Sequence, residues 1–191
     1  MKIGQKISDF DAPAYFPDKD EIGSVRFTSY AGKWVALLFY PADFTFVCPT
    51  ELEEAADFYG EFKKLNTEVL SVSTDTPYAH KAWHDTSEAV KKVEYPMLGD
   101  PSGVLCRTFG TYIESGPDAG LSLRATFIID PEGVLRSMEI HDNSIGRSTE
   151  EILRKLQAAV FVRTHKGKVC PASWKPGKDT LEPGVGLVGK I

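Results

Sequence analysis

Cys48 is the residue in this sequence that is best placed to do chemistry. It stands between an apolar segment, residues 34–40, that predicts a buried strand and a segment, residues 49–66, whose apolar residues recur every three or four positions. Pro49 suits the first turn of a helix because that position needs no backbone donor. The pattern therefore places Cys48 at a helix N-terminus, where unpaired N–H groups and the helix dipole favour an anion such as a thiolate.

The surroundings of Cys48 leave two interpretations open. A free cysteine is commonly a small buried apolar residue, and Glu51, Glu53 and Glu54 crowd the first turn, where carboxylates oppose a second negative charge. An activated Cys48 therefore requires a cation from elsewhere in the chain. Thr45, three residues upstream, is able to direct its hydroxyl toward the same sulfur or its substrate.

The composition limits the classes of protein to consider. The 191 residues, 42% of them hydrophobic and 26% charged, suit one globular domain with at most an appendage. The net charge of −5 argues against nucleic-acid binding, and no apolar run approaches the roughly 20 residues that cross a bilayer. We expect no secretory signal at the N-terminus. Three cysteines without zinc-knuckle spacing favour a reducing compartment, so we expect a cytoplasmic protein.

The elements that must position Cys48 alternate along the chain. We expect an α/β fold in which a central mixed sheet is flanked by helices, with an N-terminal hairpin and an extended C-terminal arm. Residues 1–164 form the predicted domain, and residues 165–191, where periodicity fails, form the arm. The predicted strands cover residues 25–27, 34–40, 68–73, 95–98, 122–129 and 133–140, and the helices follow Cys48, Thr74 or Asp75 as a cap, Ser102 and a capping box at residues 148–151.

Two other groups of residues invite a chemical interpretation. His80 and His84 lie one turn apart on a predicted helix, a spacing that suits metal ligands, but no third ligand is evident nearby. We therefore expect a solvated face there, no metal, and Trp83 in the core. Cys106 lies among apolar residues of a short helix, which predicts a buried structural thiol.

The segment from Pro41 through Thr45 to Cys48, extended as Phe46-Val47-Cys48-Pro49-Thr50-Glu51, resembles the active-site signature of the peroxiredoxins. A second segment, residues 169–177, holds Cys170 and resembles the resolving-cysteine segment of the typical two-cysteine subfamily. With Arg124 and residues 145–148, the similarity covers nearly the whole chain. Within the subfamily, the chain is most similar to the bacterial alkyl hydroperoxide reductase C group.

This resemblance implies a thioredoxin-like fold and specific roles for the site residues. From composition alone, Arg124 is expected at a strand edge, paired with a surface carboxylate. The resemblance instead makes it the cation that holds the thiolate and the peroxide. The other implied roles are hydrogen bonding to the peroxide by Thr45, shielding of the pocket by Pro41, pairing of Glu51 with an arginine, and a second cation at Arg147.

The resemblance also implies a reaction and its partners. Cys48 reduces hydrogen peroxide or organic hydroperoxides and becomes a sulfenic acid, which Cys170 from the partner chain of a homodimer converts to a disulfide. Such dimers assemble into decamers, and the first turn of the Cys48 helix unwinds to expose the sulfur. An external dithiol, either thioredoxin or a flavoprotein disulfide reductase, restores the thiols without a cofactor bound to this chain. The expected physiological role is antioxidant defence and redox homeostasis.

Two rival functions stay open on the residues alone. A thioredoxin-type dithiol oxidoreductase requires Cys-x-x-Cys, and the position after Cys48-Pro49-Thr50 is glutamate. A ring-forming holdase that binds unfolded clients is the second rival, and it predicts full biological activity without Cys48.

Overall fold

The computed structural model describes residues 1–190 of the chain. It divides the chain into two compact units, of which the first comprises residues 1–149 and the second begins at Glu150. The boundary that the sequence predicts, between residues 164 and 165, marks the end of helical periodicity rather than a separation of packed units. That boundary stays a prediction, and Ile191, the last residue of the expected arm, lies outside the described residues.

A seven-stranded mixed sheet forms the centre of the first unit. Its strands are β1 (Asp11–Phe16), β2 (Glu21–Arg26), β3 (Trp34–Phe39), β4 (Thr67–Ser73), β5 (Met97–Gly99), β6 (Arg124–Ile129) and β7 (Leu135–His141). They lie in the order β2-β1-β5-β4-β3-β6-β7. Strands β3, β4 and β5 are parallel, whereas β1, β2, β6 and β7 are added by antiparallel pairing. The predicted mixed sheet and N-terminal hairpin are confirmed.

Five helices accompany the sheet: α1 (Cys48–Asp57), α2 (Tyr59–Lys64), α3 (Pro77–Thr86), α4 (Val104–Phe109) and α5 (Thr149–Thr164). The single helix expected through residue 66 was wrong, because the backbone at Phe58 leaves the helical region (φ −91°, ψ −1°). Its apolar face nevertheless continues, since Leu52, Ala55, Tyr59 and Phe62 are all buried.

The cap of α3 also differs from the expectation of Thr74 or Asp75. Thr76 caps the helix by accepting a hydrogen bond from the Ala79 N–H at 3.3 Å. The Asp75 carboxylate is already bonded to the Ser73 hydroxyl and the Asp43 N–H, both at 2.8 Å. These bonds tie the loop after β4 to the loop after β3.

The order of the strands determines which loops meet near Cys48. Every residue of β3 is buried, as its continuous apolar sequence predicts for a strand covered on both faces. The parallel strands end at one edge of the sheet. Because β6 runs antiparallel to β3 and pairs Ala125 with Phe39, its first residue, Arg124, lies at the same edge. The sequence placed Arg124 in mid-strand, whereas β6 begins there, so its side chain is free to reach beyond the sheet.

The second unit consists of most of α5 and an irregular segment. An isolated bridge joins Val169 to Leu181, and the Trp174 ring packs on Phe161 with 4.9 Å between centroids. The Arg154 guanidinium donates to the Trp174 carbonyl at 3.0 Å, so the irregular segment is fastened to α5. Among residues 1–190, no helix has the length and apolar character needed to cross a membrane.

Candidate active site

Cys48 is the first residue of α1 and is fully buried. The loop of residues 40–47 carries the chain from the end of β3 to this position. Val47 precedes the helix and provides no side-chain cap, and Pro49 lies in the first turn, as predicted. The positive end of the helix dipole therefore faces the Cys48 sulfur without a competing capping group.

Arg124 supplies the cation that an activated Cys48 requires. Its Nη1 donates to Cys48 Sγ at 3.2 Å and to Glu51 Oε2 at 2.8 Å, and its side chain is only 5% exposed. Burial disfavours a charged guanidinium, but hydrogen bonding and Coulombic attraction to Cys48 and Glu51 outweigh it, and the pKa of Arg124 is raised. The sulfur therefore faces a permanent positive charge.

Glu51 lies between two arginines. Its Oε1 accepts hydrogen bonds from the Arg147 backbone N–H (2.8 Å) and Nε (2.9 Å), and its Oε2 accepts one from Arg147 Nη2 (2.8 Å). Burial alone would raise the pKa of Glu51, but Arg147, followed by Arg124, lowers it. The expected pairing of Glu51 with an arginine is thus present. The carboxylate in the first turn is matched by cations, which removes its opposition to a thiolate.

The charges of this cluster decide which form of the sulfur it suits. Two guanidinium groups face one carboxylate, so the cluster carries one surplus positive charge while Cys48 is a thiol. A thiolate brings the total to zero. Because all of these side chains are at least nine-tenths buried, the attraction is screened far less than it would be in water. The arrangement is therefore suited to holding a thiolate and an approaching polar substrate.

The other predicted site residues occupy different positions. Pro41 is buried directly after β3, and Thr45 lies half-buried on the loop before Cys48. The Thr45 hydroxyl donates its proton to the Ala42 carbonyl at 2.9 Å, so its oxygen lone pairs are what it can offer a substrate. Cys170 lies in the second unit as a half-exposed free thiol, and burial raises its pKa more than Arg154 lowers it.

The solvated face expected for His80 was wrong. His80 is fully buried, and its ring contacts Asp43, which is also buried and bonded to the Tyr40 hydroxyl. The sequence analysis assigned no role to these three residues. One signal was present: His80 stands three positions before Trp83, which was correctly expected in the core, and residues with that spacing share a helix face. Within residues 1–190, no group of three potential metal ligands gathers at one place.

The fold and the site together are those of a thiol peroxidase, and the comparisons with known proteins agree. The profile of the AhpC/TSA family matches residues 3–138, and that of the C-terminal domain of 1-Cys peroxiredoxin matches residues 161–184. Alkyl hydroperoxide reductase C from Staphylococcus epidermidis is 49% identical over 99% of this chain and 98% of its own length. The namesake from Pseudomonas aeruginosa is 53% identical over 85% of this chain and 86% of its own.

Solved structures give the same result for the fold. The crystal structure of Enterococcus faecalis AhpC has a TM-score of 0.82 at 48% identity, covering 88% of this chain and 98% of that one. A reduced 2-Cys peroxiredoxin from Plasmodium vivax has a TM-score of 0.89 at 34% identity, covering 96% and 94%. The predicted thioredoxin-like fold is confirmed.

This chain belongs to the AhpC/TSA family. It is a thiol-dependent peroxidase, and its buried Cys48, hydrogen-bonded to Arg124, is consistent with a peroxidatic cysteine. The predicted class of enzyme is therefore confirmed.

Proposed function

We propose that Cys48 is the peroxidatic residue, that it reduces hydrogen peroxide and organic hydroperoxides, and that Cys170 resolves its oxidised form. The observation that carries the proposal is the 3.2 Å hydrogen bond from Arg124 Nη1 to the fully buried Cys48 Sγ. Arg124 holds both the thiolate and the peroxide. Arg147 and Glu51 keep Arg124 in place and balance its charge.

The first reaction transfers one oxygen atom to sulfur. The Cys48 thiolate attacks the terminal oxygen of the peroxide, an S–O bond forms, and the O–O bond breaks. The leaving alkoxide or hydroxide takes up a proton and departs as an alcohol or water, and Cys48 becomes a sulfenic acid. Arg124 stabilises the negative charge that moves onto the leaving oxygen. Thr45 accepts a hydrogen bond from the peroxide, and the buried Pro41 keeps water away.

The second reaction closes the cycle. The thiol of Cys170 of the partner subunit attacks the sulfenic acid, forming a disulfide and releasing water. An external dithiol, thioredoxin or a flavoprotein disulfide reductase, then reduces this disulfide and is itself oxidised to one. Support comes from the segment that contains Cys170, which matches a peroxiredoxin C-terminal profile, and from the similar Plasmodium vivax protein, which is titled a 2-Cys peroxiredoxin.

The assembly and cellular location follow from this cycle. A disulfide between protomers requires a homodimer, and we extend the proposal to a decamer of such dimers. A catalytic thiol that must be regenerated by a dithiol suits a reducing compartment, so we place the protein in the cytoplasm.

The experiment compares the wild-type protein with Cys48→Ser, Cys170→Ser and Cys106→Ala after one equivalent of hydrogen peroxide. Non-reducing gels and intact mass should show a disulfide-linked dimer in the wild type and in Cys106→Ala, but in neither of the other variants. Peroxide consumption should vanish only in Cys48→Ser during a single turnover. A disulfide within one chain, or one through Cys106, contradicts the proposed resolution step. Peroxide consumption by Cys48→Ser contradicts the assignment of Cys48.

A further inference from the structure

Three buried polar residues lie beneath the loop that leads to Cys48. Tyr40 directly follows β3, Asp43 lies on the loop, and His80 projects from α3. The Tyr40 hydroxyl donates to Asp43 Oδ1 at 2.7 Å, and His80 Nδ1 lies 2.8 Å from Asp43 Oδ2. The side chains of His80 and Asp43 are 0% and 1% exposed. Such a cluster is costly to bury unless each member is bonded, as it is here.

The hydrogen bonds give the cluster a direction. His80 Nε2 lies 3.1 Å from the Leu98 carbonyl, which only accepts, so Nε2 must carry a proton. Leu98 belongs to β5 and thereby anchors the ring to the sheet. The other ring nitrogen is left to hold Asp43, whose backbone N–H is fixed in turn by the Asp75 carboxylate at 2.8 Å. Asp43 is thus held by the end of β3, by α3 and by the loop after β4 at once.

The loop needs this support because its backbone is strained next to Asp43. Phe44 has φ +55°, in the left-handed region that an aromatic L-residue rarely adopts. Its ring lies 5.9 Å from that of Trp83, so α3 contacts both Asp43 and Phe44. The next residue is Thr45, whose hydroxyl is turned toward the Ala42 carbonyl. The conformation of Asp43 and Phe44 therefore determines where the Thr45 oxygen lies relative to Cys48.

We propose that Asp43 and His80 are positioning residues for peroxide reduction, which hold the loop of residues 41–47 so that Thr45 meets a peroxide bound at Cys48. The proposal rests on the function proposed above for Cys48 and Thr45. It separates two properties of Cys48. Arg124 makes the sulfur nucleophilic toward any reagent, whereas the hydrogen bond between Asp43 and His80 matters only for a substrate that Thr45 must align.

Two substitutions of His80 divide its hydrogen bonds. In His80→Asn the amide nitrogen takes the place of Nδ1 and keeps the bond to Asp43. In His80→Gln the longer amide takes the place of Nε2 and keeps only the bond to Leu98. For each variant we would measure the rate constant of Cys48 with hydrogen peroxide by stopped flow and the rate constant with iodoacetamide, and we would compare their ratio.

We expect His80→Gln to lower the peroxide-to-iodoacetamide ratio about 10- to 100-fold, the range that a misplacement of about 1 Å produces. His80→Asn should restore the ratio to within about threefold of the wild type. The matched control is His84→Gln. His84 lies one turn along α3 and contacts the Val93 carbonyl at 3.2 Å, and its substitution should leave the ratio unchanged.

An unchanged ratio in His80→Gln, or an equal loss in both His80 variants, would overturn the proposal. If His80→Gln does not fold, Tyr40→Phe takes its place, since it removes one hydroxyl donor to Asp43 and keeps the ring. We expect Tyr40→Phe to lower the ratio several-fold, and a wild-type ratio there would equally overturn the proposal. The two levels of inference fail differently: a wild-type protein that does not consume peroxide refutes the proposed function, whereas an active wild type with unaffected variants refutes only the positioning role.

Discussion

Two of the three cysteines, Cys48 and Cys106, are equally and completely buried, yet their surroundings are opposite in charge. Cys48 begins a helix and receives a hydrogen bond from the Arg124 guanidinium. Cys106 lies inside α4, and its backbone N–H donates to the Asp100 carboxylate at 2.8 Å. Burial, followed by the charge of Asp100, raises the pKa of the Cys106 thiol to about 12.

The comparison teaches that burial by itself does not make a thiol reactive or inert. Removal from water disfavours any thiolate, so the neighbouring charge decides the outcome. A buried cation stabilises the anion more strongly than an exposed one, since little solvent screens it. The same degree of burial therefore strengthens the attraction of Arg124 for Cys48 and the repulsion between Asp100 and an ionised Cys106.

The largest effect should appear when both thiols compete for one alkylating reagent. At pH 8, a thiol with a pKa of about 12 is ionised in about one molecule in ten thousand. We expect iodoacetamide to label Cys48 at least about a thousandfold faster than Cys106, as measured by peptide mass spectrometry of the native protein. Equal labelling after unfolding is the control, and comparable rates in the folded protein would break the comparison.

Removal of the Arg124 charge should have the next largest effect. Arg124→Gln should lower the rate constant with hydrogen peroxide about 100- to 1000-fold, the usual result of removing one donor that stabilises developing charge. Stopped-flow measurements would compare it with Arg136→Gln. Arg136 pairs with Asp130, and its side chain is 47% exposed. A loss of less than about threefold in Arg124→Gln would show that the helix N-terminus alone activates Cys48.

Glu51 should contribute to stability in a way that depends on pH. Its pKa is lowered in the folded state, so its contribution is present above its usual value near 4.5 and is lost as the pH falls through the folded value. Glu51→Gln leaves two guanidinium groups facing no carboxylate and should lower the free energy of unfolding by about 3 kcal/mol at pH 7.

Urea unfolding at several pH values tests this, because wild type and Glu51→Gln should converge in acid as Glu51 becomes protonated. The control is Glu114→Gln, which removes an ion pair with Arg107 whose carboxylate is 67% exposed and should cost less than about 1 kcal/mol. A constant difference between wild type and Glu51→Gln down to pH 2 would exclude ionised Glu51 as the source of the stability.

The smallest expected effect sharpens the comparison from the side of Cys106. Asp100→Asn removes the neighbouring charge but leaves the burial, which is the larger cause of the raised pKa. We therefore expect labelling of Cys106 to rise by about tenfold or less, while the peroxide rate of Cys48 stays unchanged. A rise as large as a hundredfold would mean that Asp100, rather than burial, keeps Cys106 protonated.

Local patterns predicted most of the elements that form this site. The continuous apolar run of β3, the proline after Cys48 and the turn between β6 and β7 each specify their structure within a few residues. The failures concern features set by distant partners. His80 was expected in solvent because its partner Asp43 lies 37 positions away, and the α3 cap was misassigned because Asp75 is occupied by Ser73 and Asp43.

The sequence by itself determined that Cys48 stands at a helix N-terminus after a buried strand, because spacing and proline position act over a single turn. It also carried the family resemblance that named Arg124, Arg147 and Glu51. Only the tertiary structure decided that these side chains converge. The antiparallel pairing of β3 with β6 brings Arg124, 76 positions along the chain, to within 3.2 Å of Cys48. Strand pairing and burial are properties of the whole fold, and no local pattern contains them.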